Sequence, residues 1–374
     1  MLLPRRVYIY SLIWTLAISL LAINVAPAGA LAIPSNFIRF ASSINLKHPG
    51  IIVIDPKTNQ TLFSLDPDIE RAPASVLKLL SMSTVLNALS QDLVFKTSIN
   101  ETATRGTFVL MGSSDPWITE SAFEEQKYGR AFSPSLINAV LNLHPELKSI
   151  TLEYNNMYLL DIAALKRYFA GRLTIDAVKV NSTANATNEI ASIQSPPLSK
   201  IIDFTLLYSD NVLADRLARL AAHTMGFTTD SPGLQSAFTK TLTDLGISPS
   251  GLHIYDGNGL SPKTRVTARQ VAELLLVINS DPKFKIIEAG LPTSGRTGTL
   301  KDRFVHDAPG AVGLVHAKTG WINTTVSLAG FVTVGSTRYV FVIIANHIHN
   351  SEAARQAARV TIDQMIATIA NAGG

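Results

Sequence analysis

A serine and a lysine stand three residues apart in Pro73-Ala74-Ser75-Val76-Leu77-Lys78, at the start of an apolar stretch. Residues i and i+3 share one face of a helix, so the Ser75 hydroxyl and the Lys78 amine can meet near a helix N-terminus. A buried lysine loses its proton readily and can then accept the proton of a serine hydroxyl. The N–H groups of a first helical turn also favour developing negative charge. This spacing predicts Ser75 as a nucleophile and Lys78 as its base.

A capped helix with a surface lysine is the simpler interpretation of any isolated Ser-x-x-Lys. The chain contains a second one at Ser280 and Lys283, with Pro282 between them, and we interpret it as a solvated loop. The prediction at Ser75 therefore needs support from other residues.

The segment Tyr208-Ser209-Asp210-Asn211 carries a serine and an amide two residues apart, directly before a predicted helix. Ser209 as the N-cap of that helix is the simpler interpretation. The alternative is that Ser209 and Asn211 both face a catalytic site.

The segment His316-Ala317-Lys318-Thr319-Gly320-Trp321 comes just before a predicted strand at 326–334, so Lys318 begins or precedes an edge strand. A lysine, a hydroxyl and a glycine together are typical of a strand that binds a carboxylate, because the glycine lets a ligand backbone approach. We take this segment as a candidate binding strand.

Composition and charge exclude several classes of protein. The chain is 47% hydrophobic and 16% charged, which indicates a folded protein, and its net charge is only +4. No dense Lys/Arg run interleaved with aromatic residues occurs, so we expect no nucleic-acid partner. The absence of cysteine excludes disulfides and thiolate sites. His347 and His349 lack a third ligand at a zinc-like spacing, and we expect neither a metal nor another cofactor.

The N-terminal segment has the three parts of a secretory signal. Arg5 and Arg6 precede an apolar stretch at 7–25, and small residues follow. We predict a signal peptide over 1–30 and an exported protein, periplasmic or otherwise extracytoplasmic. The apolar stretch is nearly long enough to span a bilayer, so an uncleaved membrane anchor is the alternative.

The elements that must position the motifs mix strands and helices. A predicted hairpin at 51–54 and 61–64 directly precedes the Ser75 helix. From 97 to 195 short strands alternate with turn-rich pieces, which predicts an inserted subdomain. We predict an α/β fold, an α+β sandwich, whose catalytic domain comprises 31–96 and 196–374. Other predicted helices and strands cover 35–46, 107–111, 133–143, 149–152, 177–180, 200–207, 211–225, 233–245, 267–278, 338–346 and 352–370.

The order of the three motifs says more than any one of them. Ser-x-x-Lys, Ser-Asp-Asn and Lys-Thr-Gly follow one another in helix, loop and strand contexts, which resembles the motif set of penicillin-binding proteins and serine β-lactamases. The chain also resembles the D-alanyl-D-alanine carboxypeptidase/endopeptidase family, the low-molecular-mass class C penicillin-binding proteins. The similar stretches are 195–198, 256–261, 291–295, 298–300 and 327–331. The resemblance implies a penicillin-binding-protein/serine β-lactamase-like transpeptidase fold with an inserted subdomain.

The resemblance also implies a role for each motif residue. Ser75 would be the acylated nucleophile and Lys78 its base. Ser209 and Lys318 would relay a proton to the leaving D-alanine, and Asn211 would hold the amide on the acyl side.

The carboxylate end of the substrate would lie along the Lys-Thr-Gly strand. Thr319 would contact the terminal carboxylate beside Gly320, and the N–H groups of Ser75 and Trp321 would form the oxyanion hole. The family usually has threonine or serine at the position of Trp321, so a side-chain hydroxyl for the carboxylate is missing here.

Three further residues are candidates for contacts with the peptide stem. The family often has arginine where this chain has Pro262, and the following Lys263 is our substitute, although lysine cannot make a bidentate arginine contact. Glu153 and Tyr158 in the insert match an acidic and aromatic pair that would recognise the amino end of a stem side chain.

The resemblance implies a serine D-Ala-D-Ala carboxypeptidase/endopeptidase that acts on peptidoglycan stem peptides and takes β-lactams as covalent inhibitors, in association with membrane or wall. One alternative is a serine β-lactamase-like hydrolase. That activity usually needs a deacylating Glu with a nearby Asn, and the nearest candidate, Glu273, lies in a helical pattern without that Asn. The other alternative is a catalytically weak cell-wall-binding homologue, which the intact motifs argue against.

Overall fold

The computed structural model describes residues 31–373, so the predicted signal peptide at 1–30 lies outside the described residues. The α-helices of this range are α1 (Ser35–Ala41), α2 (Lys78–Ala88), α3 (Ala122–Tyr128), α4 (Pro134–Leu143), α5 (Leu159–Phe169), α6 (Leu198–Leu207), α7 (Asn211–Thr224), α8 (Ser231–Asp244), α9 (Ala268–Ser280), α10 (Lys285–Ala289) and α11 (Glu352–Ala370). The strands are β1 (Pro49–Asp55), β2 (Gln60–Leu65), β3 (Lys96–Thr102), β4 (Thr107–Met111), β5 (Ile118–Thr119), β6 (Ala131–Phe132), β7 (Ser149–Asn155), β8 (Thr174–Lys179), β9 (Ala186–Gln194), β10 (Val315–Ile322), β11 (Thr325–Val334) and β12 (Thr337–Ala345). Short 3₁₀ turns cover Ala74–Leu77, Pro282–Phe284, Gly298–Leu300, Pro309–Ala311 and Asn371–Gly373.

An antiparallel five-stranded sheet with the order β10-β11-β12-β1-β2 joins the two ends of the described chain. Strand β1 pairs with β12, from Pro49 opposite Ala345 to Ile54 opposite Val340. Successive residues of both strands are buried, which explains their continuous apolar sequences, because both faces of the sheet are covered. Strand β10, with the Lys-Thr-Gly motif, is the outermost strand at one edge.

Helix α2 lies inside the molecule, which decides the environment of Lys78. Every residue from Lys78 to Leu86 is buried, as expected for a helix without a polar face. It packs against α7 and α8, while α9 packs on β12 and β1, and α11 packs on β11 and α1. Its apolar side chains join those of α6 to α9 in one core.

A second sheet with the order β8-β7-β4-β3-β9 is formed by residues 96–194 and has its own apolar cluster. Its strands pair in parallel from β4 through β7 to β8, and antiparallel at β3. The chain from Ile33 to Gly374 forms one compact unit by its contacts, so the predicted division into a catalytic domain and an insert at 97–195 stays a prediction.

The elements differ from the predictions mainly at their ends. The first helix stops at Ala41 instead of 46, and Ser75 lies in a 3₁₀ turn before α2 instead of inside the helix. Lys318 lies within β10, which begins at Val315, and neither begins nor precedes the strand. None of the helices in the described part of the chain is both long and apolar enough to cross a membrane.

Candidate active site

The turn that carries Ser75 has a strained backbone, and two glycines from other segments lie close against it. Ala74 has φ +50°, a left-handed backbone conformation that residues other than glycine rarely adopt. A Cβ placed on Gly259 would lie 2.0 Å from the Ala74 carbonyl oxygen, and one on Gly320 would lie 3.0 Å from the Ser75 nitrogen. Both positions therefore require glycine, because two other segments approach the backbone of the turn closely.

Lys78 connects the first two motifs. Its Nζ lies 2.8 Å from Ser75 Oγ, 2.8 Å from Asn211 Oδ1 and 2.9 Å from the Asn258 carbonyl oxygen. A neutral lysine amine has two N–H donors and one lone pair. Asn211 and Asn258 are acceptors that satisfy the two donors, which leaves the lone pair for the Ser75 hydroxyl. The geometry is that of a base hydrogen-bonded to its nucleophile.

The environment of Lys78 favours this neutral form. Burial lowers its pKa from 10.5 to about 7, although the negative charges of Asp210 and Asp256 act in the opposite direction. The free amine is therefore a major form of this side chain near pH 7. An ordinary lysine would be almost fully protonated.

In the Ser-Asp-Asn loop, the residue that caps α7 and the serine that lines the cavity are different residues. Ser209 is not the N-cap of α7; the cap is Asp210, whose carboxylate accepts from the Leu213 N–H at 2.8 Å. Ser209 itself has φ +57°, an uncommon conformation for serine, and lines the same cavity as Ser75. Asn211 begins α7 and faces Lys78.

The third motif places a second buried lysine beside the first. The Lys318 side chain is fully buried, and its Nζ donates to the Thr319 carbonyl oxygen at 3.0 Å. Burial, together with the charge of Lys78, lowers the pKa of Lys318 well below its ordinary value. The hydroxyl of Thr319 lies 2.8 Å from that of Thr299, so two hydroxyls meet at this point.

The backbone of β10 presents N–H groups at its open edge. The Ala317 N–H donates to the Pro292 carbonyl oxygen, on the side away from β11, at 3.0 Å. Backbone N–H groups alternate in direction along a strand, so those of Thr319 and Trp321 point to the same side. Gly320 brings this edge close to the backbone of Ser75. The N–H groups of Trp321 and Ser75 therefore border one opening.

A cavity of about 730 Å³ joins the three motifs. Its walls include Ser75, Ser209, Asn211, Thr319 and Gly320. Of the predicted catalytic residues, Lys78 and Lys318 are fully buried behind this surface. A substrate in the cavity would contact hydroxyl and amide groups directly. The two lysine amines would lie behind these groups.

The cavity also has residues that the sequence patterns did not single out. Thr299, Arg303 and Arg359 line it, together with the ring of Tyr208. Arg303 is paired through two hydrogen bonds with Asp363. Thr299 belongs to a stretch with family resemblance, but the two arginines come from a loop and from α11, where no local pattern marks them.

Trp321 lies at the cavity wall with 54% of its surface exposed. Its ring centroid is 5.6 Å from the guanidinium carbon of Arg355 and 5.5 Å from that of Arg359. Glu352 accepts hydrogen bonds from both arginines. The ring thus contacts two cations on α11 and does not pack beneath the strand.

Lys263 does not line the cavity with the motif residues. Its side chain is exposed, with Nζ 5.7 Å from the centre of the Tyr255 ring. The neighbouring Pro262 lines the cavity instead. A contact between Lys263 and a peptide stem stays a prediction.

Glu153 and Tyr158 also lie outside the described cavity lining. Glu153, on β7 of the second sheet, accepts a hydrogen bond from Asn185. The Tyr158 hydroxyl donates to the Ser114 carbonyl oxygen at 3.3 Å, and its ring centre is 4.1 Å from the guanidinium carbon of Arg216. Their predicted role in binding a stem side chain stays a prediction.

A group of buried carboxyls lies away from the cavity. Burial raises the pKa of Asp115 to about 7 and that of Glu120 to about 7, and it also raises the pKa of Asp161. Arg216 forms an ion pair with Asp161 and acts against these shifts. Among the described residues, no group of three or more His, Asp or Glu side chains is placed to hold a metal ion.

Comparison with known proteins gives a family for this chain. The sequence model of the D-Ala-D-Ala carboxypeptidase 3 (S13) family matches residues 135–369, more than half of the chain. This match includes Ser209, Asn211 and Lys318 but begins after Ser75. Carboxypeptidase DacB of Mycolicibacterium smegmatis is 33% identical over 189 residues, which are 49% of this chain and 40% of that protein. The chain thus spans about two fifths of that relative's length.

Two solved structures show the fold. Penicillin binding protein 4 (dacB) from Haemophilus influenzae superposes with a TM-score of 0.72 at 16% identity, covering 88% of this chain and 98% of that one. Bd3459, a predatory peptidoglycan endopeptidase from Bdellovibrio bacteriovorus, gives a TM-score of 0.60 at 16% identity, covering 86% and 92%. The predicted α/β penicillin-binding-protein fold is confirmed.

Proposed function

The chain belongs to the D-Ala-D-Ala carboxypeptidase 3 (S13) family, and from that premise we propose that it is a serine D-Ala-D-Ala carboxypeptidase/endopeptidase acting on peptidoglycan stem peptides. The reaction passes through an acyl-enzyme at Ser75. The main support for this proposal is that Lys78 Nζ lies 2.8 Å from Ser75 Oγ and 2.8 Å from Asn211 Oδ1. The pKa of this lysine is lowered to about 7.

Acylation begins when the neutral Lys78 amine takes the proton of the Ser75 hydroxyl. Ser75 Oγ then attacks the carbonyl carbon of the peptide bond, and the negative charge on the carbonyl oxygen is stabilised by the N–H groups of Ser75 and Trp321. Asn211 holds the amide on the acyl side of the substrate. The support for this step is the shared opening that these two N–H groups border.

The leaving amine needs a proton when the C–N bond breaks. Ser209, at the cavity wall, gives its hydroxyl proton to the D-alanine nitrogen. Buried Lys318 replaces that proton from its amine and takes up the proton held by Lys78, so that one proton leaves Ser75, one arrives at the leaving amine and both lysines end neutral. The hydroxyls of Thr319 and Thr299 donate hydrogen bonds to the terminal carboxylate. Water then attacks the acyl-enzyme and restores Ser75.

The β-lactamase alternative lacks a deacylating base at the cavity. None of the described residues that line it carries a carboxylate. Glu273, the candidate from the sequence, lies in α9 and outside the lining, with Arg269 and Asp68 as its charged neighbours. Acylation by a β-lactam is therefore followed by slow release, which makes such compounds inhibitors rather than substrates.

We also propose that the protein is exported through a signal peptide at 1–30 and works on the wall side of the membrane. The support is the three-part N-terminal pattern together with a substrate that lies outside the cytoplasm. Mass analysis of the mature N-terminus from an exporting host tests whether the signal is cleaved or retained as an anchor.

Covalent labelling tests the central assignment. A fluorescent penicillin should attach to Ser75, as found by peptide mapping, and Ser75→Ala should abolish labelling. The matched control is Ser280→Ala, which changes the second Ser-x-x-Lys and should leave labelling intact. An adduct at another residue, or labelling that survives in Ser75→Ala, would contradict the assignment. Incubation with intact peptidoglycan, followed by mass analysis, separates loss of terminal D-alanine from opening of cross-links.

A further inference from the structure

A row of aromatic rings leads away from the catalytic cavity over the surface. Tyr208 lines the cavity and is 49% exposed. Its ring centre is 5.7 Å from that of Tyr128, which is 6.5 Å from that of Phe123. Phe123 is 62% exposed. We call Tyr208, Tyr128 and Phe123 the aromatic ledge.

The ledge stands on a rigid base. The ring of Phe204 lies 5.0 Å from Tyr128 and 4.7 Å from Tyr208, and it also contacts buried Trp117 at 5.1 Å. The Trp117 indole donates to the Gly129 carbonyl oxygen at 3.0 Å, which fixes the end of α3. The ledge is therefore preorganised, and a ligand would bind without ordering it first.

Core packing does not account for the outer ring of the ledge. Helix α3 has no buried residue, although it carries Phe123. Tyr128 is half-buried, so the exposed aromatic surface lies at the two ends of the row, Tyr208 and Phe123. Exposed aromatic rings next to a catalytic cavity mark a binding site more often than a single exposed side chain does. Beside the row, Lys127 Nζ lies 5.1 Å from the Phe123 ring centre and 5.0 Å from that of Tyr128. Apolar faces and a hydrogen-bond donor thus occur together.

We propose that the aromatic ledge binds sugar rings of the glycan strand to which the stem peptide is attached. A pyranose ring has apolar C–H faces and a polar rim, so its face stacks on an aromatic ring while its rim meets groups such as the Lys127 ammonium. This inference rests on the proposed function, because it requires a peptidoglycan stem in the cavity. The substrate class that it names is a glycan-linked peptide rather than a free one.

The distance is compatible with one substrate covering both places. About four stem residues between the sugar and the cleaved bond span about 13 Å when extended. The ledge starts at the cavity wall, and its outer ring lies two ring contacts further out, at 5.7 and 6.5 Å. The extended stem is thus about as long as the ledge, which starts at Tyr208 in the wall of the cavity that also contains Ser75.

The test compares one peptide with and without its sugar. Phe123→Ala should lower kcat/KM for a disaccharide-linked pentapeptide about two- to ten-fold, the range expected for one aromatic contact. Turnover of the free pentapeptide should not change. Leu160→Ala, on α5, removes a side chain that is 77% exposed and outside the ledge, and it should change neither rate. Equal loss on both substrates, or no loss on either, would overturn the inference.

A binding measurement separates this inference from the proposed function. Peptide-free strands of alternating N-acetylglucosamine and N-acetylmuramic acid are titrated into the full chain and followed by calorimetry. Binding that weakens in Phe123→Ala and not in Leu160→Ala supports the ledge even if no peptide is cleaved, in which case the proposed activity alone fails. Binding that is absent, or that is unchanged by Phe123→Ala, overturns the ledge even if peptide cleavage is found.

Discussion

The rate of acylation of Ser75 should depend on pH through the ionisation of Lys78. Only the neutral amine can accept the serine proton, and burial places the pKa of this lysine at about 7. The second-order rate of penicillin labelling should therefore rise about ten-fold per pH unit below pH 7 and level off above pH 8.

The size of the effect follows from the shift of this pKa. At pH 7 about half of the Lys78 side chains are neutral, whereas with the ordinary value of 10.5 roughly one in three thousand would be. Burial thus increases the population of the reactive form by about three orders of magnitude. Removing the amine with Lys78→Ala should lower the labelling rate by about 10²- to 10⁴-fold, the usual range for a general base, and should abolish the inflection near pH 7.

The assay is stopped-flow labelling with a fluorescent penicillin between pH 5.5 and 9.5. Lys283→Ala is the matched control, since Lys283 belongs to the other Ser-x-x-Lys and bonds the Asn87 side chain at an exposed site. It should leave the profile unchanged. A flat profile, or an inflection above pH 9 in the unaltered protein, would refute the assignment of Lys78 as a neutral base.

Three other predictions, two of them substitutions, concern separate parts of the structure. Trp321→Thr should raise kcat/KM on a peptide that ends in D-Ala-D-Ala. The increase is at most about ten- to a hundred-fold, the value of one recovered hydrogen bond to a charged group. Unchanged penicillin labelling with flat or lower turnover would show that Trp321 does not limit carboxylate recognition. Burial raises the pKa of Asp115 from 3.8 to about 7, so the folded state favours the protonated carboxyl. The associated stability is complete below pH 4 and is lost as the pH rises through 7. Asp115→Asn should accordingly raise the unfolding free energy at pH 8 by up to about 4 kcal/mol, and with it the Tm, but should raise neither at pH 4. An equal change in Tm at both pH values would contradict this. The penicilloyl group on Ser75 should persist after excess drug is removed, and rapid steady turnover of a chromogenic β-lactam would instead favour the lactamase alternative.

The inner part of the active site could be predicted because its spacing is local. Ser75 and Lys78 are one helical turn apart, and the apolar residues around them predict burial, which in turn predicts a reactive lysine. The strands around Gly335 were likewise predicted from their apolar sequences, and α11 has the predicted bounds of 352–370. The order of the three motifs then indicated the family.

The long-range contacts could not be predicted from periodicity. Asn211 reaches Lys78 because α2 and α7 pack together, and no local pattern encodes that packing. The sequence left open whether Ser209 caps α7 or faces the site. Asp210 is the cap, and Ser209 adopts a left-handed conformation at the cavity wall. Such a conformation depends on the surrounding structure, which offsets its strain.

The sequence by itself determined which groups are available as nucleophile, base and carboxylate contact, and the order in which their motifs follow along the chain. Tertiary structure alone decided what surrounds them. It brought Arg359 of α11 to the cavity beside Trp321, left Glu153 on the second sheet, and extended the cavity to an aromatic surface at Tyr208. The physical reason is the separation of the contacting residues along the chain. Helix and strand periods relate residues a few positions apart. The pairing of β1 with β12 and the packing of helices on that sheet join residues that are hundreds of positions apart.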